Sequence, residues 1–208
     1  MEIEYFGGNC LKINTKTATL IVDDNLESLG LKSIIKEGVL ALYTGIHEQP
    51  RADVKLIIDT PGEYEVSNVS IQGIEARSYQ DEPSQNSGII LKIITDDIRL
   101  LVTGNIYPDL SDEQVESIGP VDVMVVPVGN NDVTLSGQEA LKITKKIEPK
   151  IVIPTHFADK QIKYAASQQS LEEATKSLAM EVRDTVTKLK IKPADFGDTT
   201  QLVVLQRQ

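Results

Sequence analysis

The chain has 208 residues and a formal net charge of −10, from 31 acidic and 21 basic residues. This acidic balance repels phosphate backbones, so we expect no nucleic-acid partner. Hydrophobic residues make up 40% of the sequence, which suits a folded chain that is most simply one domain over residues 1–208. No apolar stretch approaches the length of a bilayer span, so we expect no membrane partner.

The sequence contains one cysteine, Cys10, and two histidines, His47 and His156. A single cysteine excludes an internal disulfide and fits a reducing compartment, and the first residues are acidic rather than basic. We therefore expect a soluble cytoplasmic protein. Cys10 alternates with apolar residues, which favours a buried structural thiol over a reactive one.

The first half of the sequence predicts short strands separated by turns. A short helix is expected over Leu26–Lys36, ended by Gly38. Hairpins are expected to turn at Ser67-Asn68 and at Asp96-Asp97. The strands predicted in this half are Met1–Phe6, Cys10–Ile13, Ala18–Val22, Val39–Tyr43, Val54–Ile58, Glu63–Val66, Val69–Glu75, Gly88–Thr95 and Ile98–Val102. The polar segment Tyr79–Ser87 is expected to be a loop.

The second half predicts alternating helices and buried strands. Three capping-box sequences, each a serine followed three residues later by Gln or Glu, mark helix starts at Ser111, Ser136 and Ser170. Near-continuous apolar runs are typical of strands covered on both faces. The elements expected here are strands at Val121–Val126 and Ile151–Ile153, a helix over Leu171–Val182, and strands at Val186–Ile191 and Leu202–Leu205. This order predicts a layered α/β protein.

Several motifs, in this order along the chain, match one known family: Tyr5–Ile13, Leu20–Asp23, Pro61–Glu65, Leu101–Asn105, Val121–Gly129 and Glu148–His156. Through them the chain resembles the metallo-β-lactamase fold superfamily, specifically its lactonase-like hydrolase branch. The resemblance implies a four-layer αββα sandwich with a metal site at one edge, between the two sheets. It also implies hydrolysis by a metal-bound hydroxide, because a bound metal lowers the pKa of water to roughly 7.

The family's ligand positions, carried over by this resemblance, are mostly filled by residues that do not bind zinc. Its His-X-His-X-Asp-His motif falls on Gly45–Pro50, where only His47 is retained. A further histidine position falls near Arg77 or Ser78, and the bridging aspartate position holds Asn105. His156 is retained. The candidate metal ligands are therefore His47, Asn105 and His156, as remnants of a site.

Two imidazoles and one amide are too few for the family's two-metal site, because affinity depends on ligand number and geometry. We therefore expect a non-catalytic scaffold or binding module, with no catalytic residue and no cofactor. Its partner would be a small molecule or a protein, held in the remnant cleft or at a sheet edge. On this hypothesis His156 is bonded by a neighbouring loop, and His47 is a loop residue that faces solvent.

The alternative is a metal-dependent hydrolase of a lactone, ester or phosphoester. Zinc or another divalent metal would then be held by a reduced site around His47, Asn105 and His156. Asp23, Glu48, Asp59 or Glu63 would supply the missing ligand. The sequence leaves the oligomeric state open. Because the exposed surfaces of the sandwich often pair in the family, the resemblance also implies a homo-oligomer.

Overall fold

The computed structural model describes residues 1–208, with 14 strands, three α-helices and two 3₁₀ turns. The strands are β1 (Glu2–Gly7), β2 (Cys10–Asn14), β3 (Thr19–Val22), β4 (Leu40–Leu42), β5 (Leu56–Ile58), β6 (Gly62–Val66), β7 (Val69–Ala76), β8 (Gly88–Thr95), β9 (Ile98–Val102), β10 (Val123–Pro127), β11 (Ile151–Thr155), β12 (Val182–Val186), β13 (Lys188–Lys190) and β14 (Gln201–Leu205). The helices are α1 (Asp112–Ile118), α2 (Gly137–Ile147) and α3 (Leu171–Leu178), and the 3₁₀ turns cover Leu26–Leu29 and Pro193–Asp195. None of these helices combines the length and the apolar character that crossing a bilayer requires.

The strands form two sheets that face each other. The first has six strands in the order β13-β1-β2-β3-β4-β5, and the second has eight in the order β12-β14-β11-β10-β9-β8-β7-β6. In the second sheet β9, β10 and β11 are parallel neighbours. Parallel neighbours need a crossover connection, and α1 and α2 supply it between these strands. The ends of these parallel strands therefore meet at one edge of the sandwich.

Alternating side chains of the second sheet pack into two separate cores. In β10, Val123 and Val125 belong to a core of 24 buried residues that both sheets share. Met124 and Val126 of the same strand belong to a core of 19 buried residues beneath the helices. Both faces of β10 are thus covered, as its continuous apolar sequence predicts.

The two outer layers of the sandwich differ in structure. All three α-helices lie on the outer face of the second sheet, where Ile118, Ile143 and Leu178 are buried. On the first sheet, Cys10 and Ile21 are covered by Leu26 of the 3₁₀ turn and by the irregular chain that follows it. The predicted four-layer α/β architecture is confirmed, with a 3₁₀ turn and irregular chain as one of its outer layers.

The locally encoded features agree with the sequence expectations. Both hairpin turns, Ser67-Asn68 and Asp96-Asp97, have positive φ at both central residues, which suits the right-handed twist of paired strands. All three capping boxes form: each serine hydroxyl accepts from the amide three residues on, and that residue's side chain accepts from the serine N–H. Cys10 is buried, as expected.

The helix expected over Leu26–Lys36 is wrong beyond its first turn. The 3₁₀ turn ends at Leu29, and Gly30 follows in a left-handed conformation. One oxygen of Asp24 accepts from the amides of Ile34 and Ile35, at 2.7 and 3.0 Å. Those amides bond a side chain upstream of the turn, so they are not available to continue a helix.

Two boundaries near the C-terminal end also differ from expectation. Helix α3 stops at Leu178 because Ala179 adopts a left-handed conformation, so Val182 starts a strand instead of ending the helix. The single strand expected over Val186–Ile191 is divided between the sheets. Strand β12 pairs with β14 in the second sheet, whereas β13 pairs with β1 in the first.

We expect Ser136→Ala to lower the free energy of unfolding by about 1 kcal/mol, because it removes the hydroxyl that caps α2. The Ser136 hydroxyl accepts from the Glu139 amide at 3.2 Å, and Glu139 accepts in return from the Ser136 N–H at 2.7 Å. Urea denaturation measures the change. Ser84→Ala in the exposed loop is the matched control, and an equal effect of the two substitutions would contradict the assignment.

Candidate functional site

A cleft of about 260 Å³ opens at the edge where the parallel strands end. It is bordered by the turn after β1 and by the segments that follow β3, β4, β7, β9, β10 and β11. Its 15 lining residues are Gly8, Asn9, Asp23, Asn25, Ser28, Leu29, Thr44, Gly45, Ile46, Ser78, Gln80, Ser87, Asn105, Val133 and His156. The cleft therefore draws on both sheets.

The lining of this cleft is polar but almost uncharged. Eight of its residues have amide or hydroxyl side chains: Asn9, Asn25, Ser28, Thr44, Ser78, Gln80, Ser87 and Asn105. Asp23 is the single carboxylate, His156 is the single imidazole, and no lysine or arginine contributes. Charged residues make up 25% of the whole chain, so the lining of the cleft contains fewer charged residues than the chain as a whole.

Asp23 is buried at the base of the cleft and is fully engaged by Thr44. Its two carboxylate oxygens accept from the Thr44 amide and from the Thr44 hydroxyl, each at 2.7 Å. Burial raises the pKa of Asp23 to about 6, and the two hydrogen bonds from Thr44 oppose that rise. The Asp23 carboxylate thus has a structural bonding role within the protein.

Gly104 allows the end of β9 to approach Thr44 closely. A Cβ atom at Gly104 would lie 2.3 Å from the Thr44 hydroxyl oxygen, and Gly104 has a φ of +64°. Both features exclude a larger residue. This close approach positions the next residue, Asn105, in the wall of the cleft.

Asn105 belongs to a chain of side-chain hydrogen bonds across the cleft. Its Oδ1 accepts from Asn9 Nδ2 at 3.0 Å, and Asn9 Oδ1 accepts from the Thr155 hydroxyl at 3.0 Å. The Asn105 oxygen is the atom that would stand in the place of the family's bridging carboxylate. Here that oxygen carries no charge and bonds a neighbouring amide.

His156 lies at the end of β11 in a left-handed conformation, with its amide donating to the Gly8 carbonyl at 2.9 Å. Its Nδ1 lies 3.1 Å from Gln168 Oε1, and Gln168 Nε2 donates to the Ala166 carbonyl. This arrangement makes Gln168 Oε1 an acceptor, so the proton is on Nδ1 of His156. Burial lowers the pKa of His156 and favours the neutral ring. As expected from the sequence, a neighbouring loop bonds this histidine.

His47 does not line the cleft, and the expectation that its side chain faces solvent is wrong. The side chain is only 8% exposed, and its ring stacks on Tyr43 with centroids 3.6 Å apart. Nε2 lies 3.1 Å from Asp59 Oδ2, and Nδ1 lies 2.9 Å from the Glu48 carbonyl. Both ring nitrogens of His47 thus have a polar partner within the protein. No feature of the sequence identifies Tyr43 as the residue on which His47 stacks.

The remaining positions implied by the family resemblance are scattered. Gly45 and Ser78 line the cleft without a ligating group, whereas Gln49 and Pro50 line a different cavity. Arg77 lies over the ring of Tyr107, with its guanidinium carbon 3.8 Å from the ring centroid. No three His, Cys, Asp or Glu side chains of the structure are grouped so that they would hold a metal ion. The residues at this edge therefore do not fit the metal centre that the fold family implies.

The chain belongs to the β-lactamase superfamily. The sequence model of the β-lactamase superfamily domain matches residues 2–156, which include all the strands of the first sheet except β13 and all 15 residues of the cleft. One relative is a hydrolase by name. A Salinibacter ruber protein named as a metal-dependent hydrolase is 26% identical, over 76% of this chain and 84% of that protein.

Solved structures show the same fold. A Thermotoga maritima structure, described as a zinc-dependent hydrolase of the metallo-β-lactamase superfamily, has a TM-score of 0.80 at 21% identity and covers 100% of this chain and 99% of that chain. A metallo hydrolase from Ignicoccus hospitalis has a TM-score of 0.61 at 16% identity, covering 86% of this chain and 90% of that chain. At these identities the likeness concerns the fold alone.

We expect the stability of the protein to depend on the ionisation of Asp23. The unfolded chain ionises this carboxyl near its ordinary pKa of about 4, whereas the folded protein holds the proton up to a pH of about 6. The unfolded state therefore binds fewer protons across this window, so the free energy of unfolding falls as the pH rises from about 4 to about 6. Above that range the contribution is constant.

Asp23→Asn isolates this effect because the variant has no carboxyl to ionise. Between pH about 4 and about 6, we expect the wild type to lose on the order of 3 kcal/mol of stability relative to the variant. Denaturant unfolding of both proteins across this range measures the difference. A difference that does not change with pH would show that the buried carboxyl does not titrate as described.

Proposed function

We propose that this superfamily member is a non-catalytic binding module that holds a small, uncharged, polar molecule in the cleft around Asn105 and His156. The observation that carries the proposal is the chemistry of the cleft lining. Eight amide or hydroxyl side chains surround a space whose single carboxylate is buried and already bonded. Such a lining is polar without a free counter-charge, and the Gln80 side chain and the Asn105 amide nitrogen form no hydrogen bond within the protein.

A neutral ligand suits this lining better than an ion. An ion that enters the cleft gives up its hydration, and the lining has no opposite charge to replace it. An amide- or hydroxyl-rich molecule exchanges its water for protein donors and acceptors of the same strength. Leu29, Ile46 and Val133 add apolar contacts in the same cleft. This mixture of apolar surface and a few polar groups is usual in sites for small molecules.

The donor set supports a role without catalysis. A catalytic zinc site uses three protein ligands and keeps one open position for water. In this cleft His156 offers one neutral nitrogen, the Asn105 oxygen is bonded to Asn9, and Asp23 is bonded twice by Thr44. His47 is held outside the cleft by Tyr43 and Asp59. The cleft thus supplies one free imidazole nitrogen, fewer than the three ligands of such a site, which supports a role without a catalytic metal.

The named relatives favour a second candidate function. The Salinibacter ruber protein carries the name of a metal-dependent hydrolase, so the alternative is a hydrolase with a reduced metal site around His47, Asn105 and His156. Metal binding of this kind requires His47 to leave its stack with Tyr43 and to enter the cleft. The loss of that stack is an observable step, which separates this candidate from the first.

The proposal includes the biological setting expected from the sequence. A single domain in the cytoplasm is supported by the shared core of the two sheets and by the unpaired, buried Cys10. The acidic balance of the chain supports a small-molecule or protein partner rather than a nucleic acid. We also propose that the chain forms a homo-oligomer, and light scattering, which measures the molar mass in solution, tests this.

Metal content distinguishes the two candidate functions. We expect protein purified without chelator to contain far less than one equivalent of zinc, manganese or iron by elemental analysis. Added zinc or added chelator should leave the melting temperature unchanged, because a ligand that does not bind the folded state does not shift it. One tightly held equivalent that disappears in both His47→Ala and His156→Ala would support the hydrolase instead.

Binding of small probes tests the neutral cleft directly. In ¹H–¹⁵N NMR titrations we expect acetamide and glycerol to shift amides around Asn105 and Ser78, whereas acetate and methylammonium do not. Asn105→Ala and Ser78→Ala should each weaken the shifts, since each removes a polar group of the lining. Asn86→Ala, which lies outside the cleft, is the matched control. Stronger shifts from the charged probes would contradict the proposal.

A further inference from the structure

Gln168, in the segment between β11 and α3, bonds His156 from outside the cleft. Its Oε1 lies 3.1 Å from Nδ1 of His156, and it is not one of the residues that line the cleft. The next residue is fixed to the end of β10, because the Gln169 amide donates to the Gly129 carbonyl at 2.8 Å and the Gln169 side chain donates to the Val128 carbonyl at 2.6 Å. The backbone of Gln168 is therefore held in place beside His156.

Gly129 provides the space that the Gln168 side chain occupies. A Cβ atom at Gly129 would lie 2.1 Å from Gln168 Oε1 and 2.1 Å from Thr134 Oγ1, so these two oxygens are neighbours. Thr134 is 0% exposed, and its hydroxyl is one of two buried side-chain groups with an atom that has no hydrogen bond. An amide oxygen has two lone pairs, so Gln168 Oε1 can accept from Thr134 as well as from His156. A shift of the Thr134 hydroxyl toward this oxygen would give it a partner and would hold the Gln168 amide in its orientation.

The second ring nitrogen of His156 is accessible. The proton on Nδ1 leaves Nε2 as a lone-pair acceptor, because a neutral imidazole has one donor and one acceptor. The side-chain atoms that are buried without a partner are Asp96 Oδ2 and Thr134 Oγ1, so Nε2, which bonds nothing within the protein, reaches solvent. The two ring nitrogens point in nearly opposite directions, so Nε2 points away from Gln168. Since His156 lines the cleft, Nε2 is presented to an occupant of the cleft.

Asn105 offers a complementary group in the same cleft. Its Oδ1 accepts from Asn9, whereas its Nδ2 has no partner within the protein and is not one of the buried unpartnered atoms. Asn9 also accepts from the Thr155 hydroxyl at 3.0 Å, so one side chain connects Asn105 with the residue before His156. The cleft therefore presents an N–H donor from Asn105 and a lone-pair acceptor from His156.

We propose that Gln168 is a positioning residue that fixes the Nδ1–H form of His156, and that the occupant of the cleft is a carboxamide with at least one N–H. The ligand N–H donates to His156 Nε2, and the ligand carbonyl accepts from Asn105 Nδ2. A carboxamide carries both groups in one planar unit, whereas an ester or a tertiary amide lacks the donor. This chemical class rests on the proposed function, which requires only a neutral polar molecule.

The tautomer of His156 is measured in the protein without ligand. In long-range ¹H–¹⁵N spectra of the imidazole, recorded above the pH range in which histidine ionises, we expect a protonated Nδ1 and an unprotonated Nε2. Gln168→Leu removes the acceptor of the Nδ1 proton, so the Nε2–H form should appear. Gln206→Leu, at an exposed residue outside the cleft, is the matched control. A protonated Nε2 in the wild type, or an unchanged tautomer in Gln168→Leu, would overturn the positioning role.

Gly129→Ala displaces Gln168 without changing it. Gly129 does not have a positive φ, so the added methyl acts through the space it takes and should push Oε1 away from His156. We expect the Nε2–H form of His156 to appear in this variant as well. A folded Gly129→Ala protein that keeps the Nδ1–H form alone would contradict the role of Gln168.

Two isomeric amides test the ligand class. Isobutyramide has N–H groups, whereas N,N-dimethylacetamide has the same atoms and no N–H. In ¹H–¹⁵N NMR titrations we expect isobutyramide to bind about five- to tenfold more tightly, as expected for one additional hydrogen bond. Gln168→Leu should bring this ratio closer to one, because its His156 no longer presents Nε2 only as an acceptor. Equal binding of the isomers to the wild type would overturn the ligand class but not the proposed function, whereas binding of neither isomer nor of acetamide would overturn both.

Discussion

Thr44 joins the two sheets at the edge of the sandwich where the cleft opens. Its amide and hydroxyl bond the carboxylate of Asp23 at the end of β3, and its carbonyl accepts from Ile89 in β8 of the opposite sheet. Its side chain also lies against Gly104 at the end of β9. Strand ends from both sheets are thus fixed relative to one another at this residue, and the Asn9 side chain and the His156 amide add further links across the same edge. The buried Asp23 carboxyl lowers stability near neutral pH, so the cleft is held together by a group that is unfavourable to bury when charged.

Features encoded by neighbouring residues were predictable from the sequence, whereas features that depend on distant contacts were not. The capping box at Ser136 and the turn at Asp96-Asp97 need only residues close in sequence, and the structure contains both. The helix expected after Leu26 fails because the Asp24 side chain bonds amides ten and 11 residues away. The strand expected over Val186–Ile191 fails because an alternating pattern does not specify which of two sheets a strand joins.

The candidate site shows the same division. Asn105 and His156 follow long buried strands, so their positions at the edge of the sandwich were predictable from the order of the strands. His47 was assigned to the same site by its place in the family motif, but packing decides its position. Its stack on Tyr43 and its contact with Asp59 join segments whose proximity the sequence does not reveal.

Tyr43 and Thr44 are consecutive in the chain, yet they line different spaces: Thr44 lines the cleft, whereas Tyr43 lines a second cavity with Asp24, Glu27 and Glu48. The two spaces are neighbours that share Asn25 and Ser28, and the peptide group between Tyr43 and Thr44 donates through the Thr44 amide to Asp23. An occupant of the cleft that shifts Thr44 would also move the Tyr43 ring and the His47 ring stacked on it, so occupancy of the cleft and the position of His47 would be energetically coupled. Thermodynamic linkage makes such coupling reciprocal, so a change that releases His47 from the stack would alter the affinity of the cleft for its occupant by the same factor.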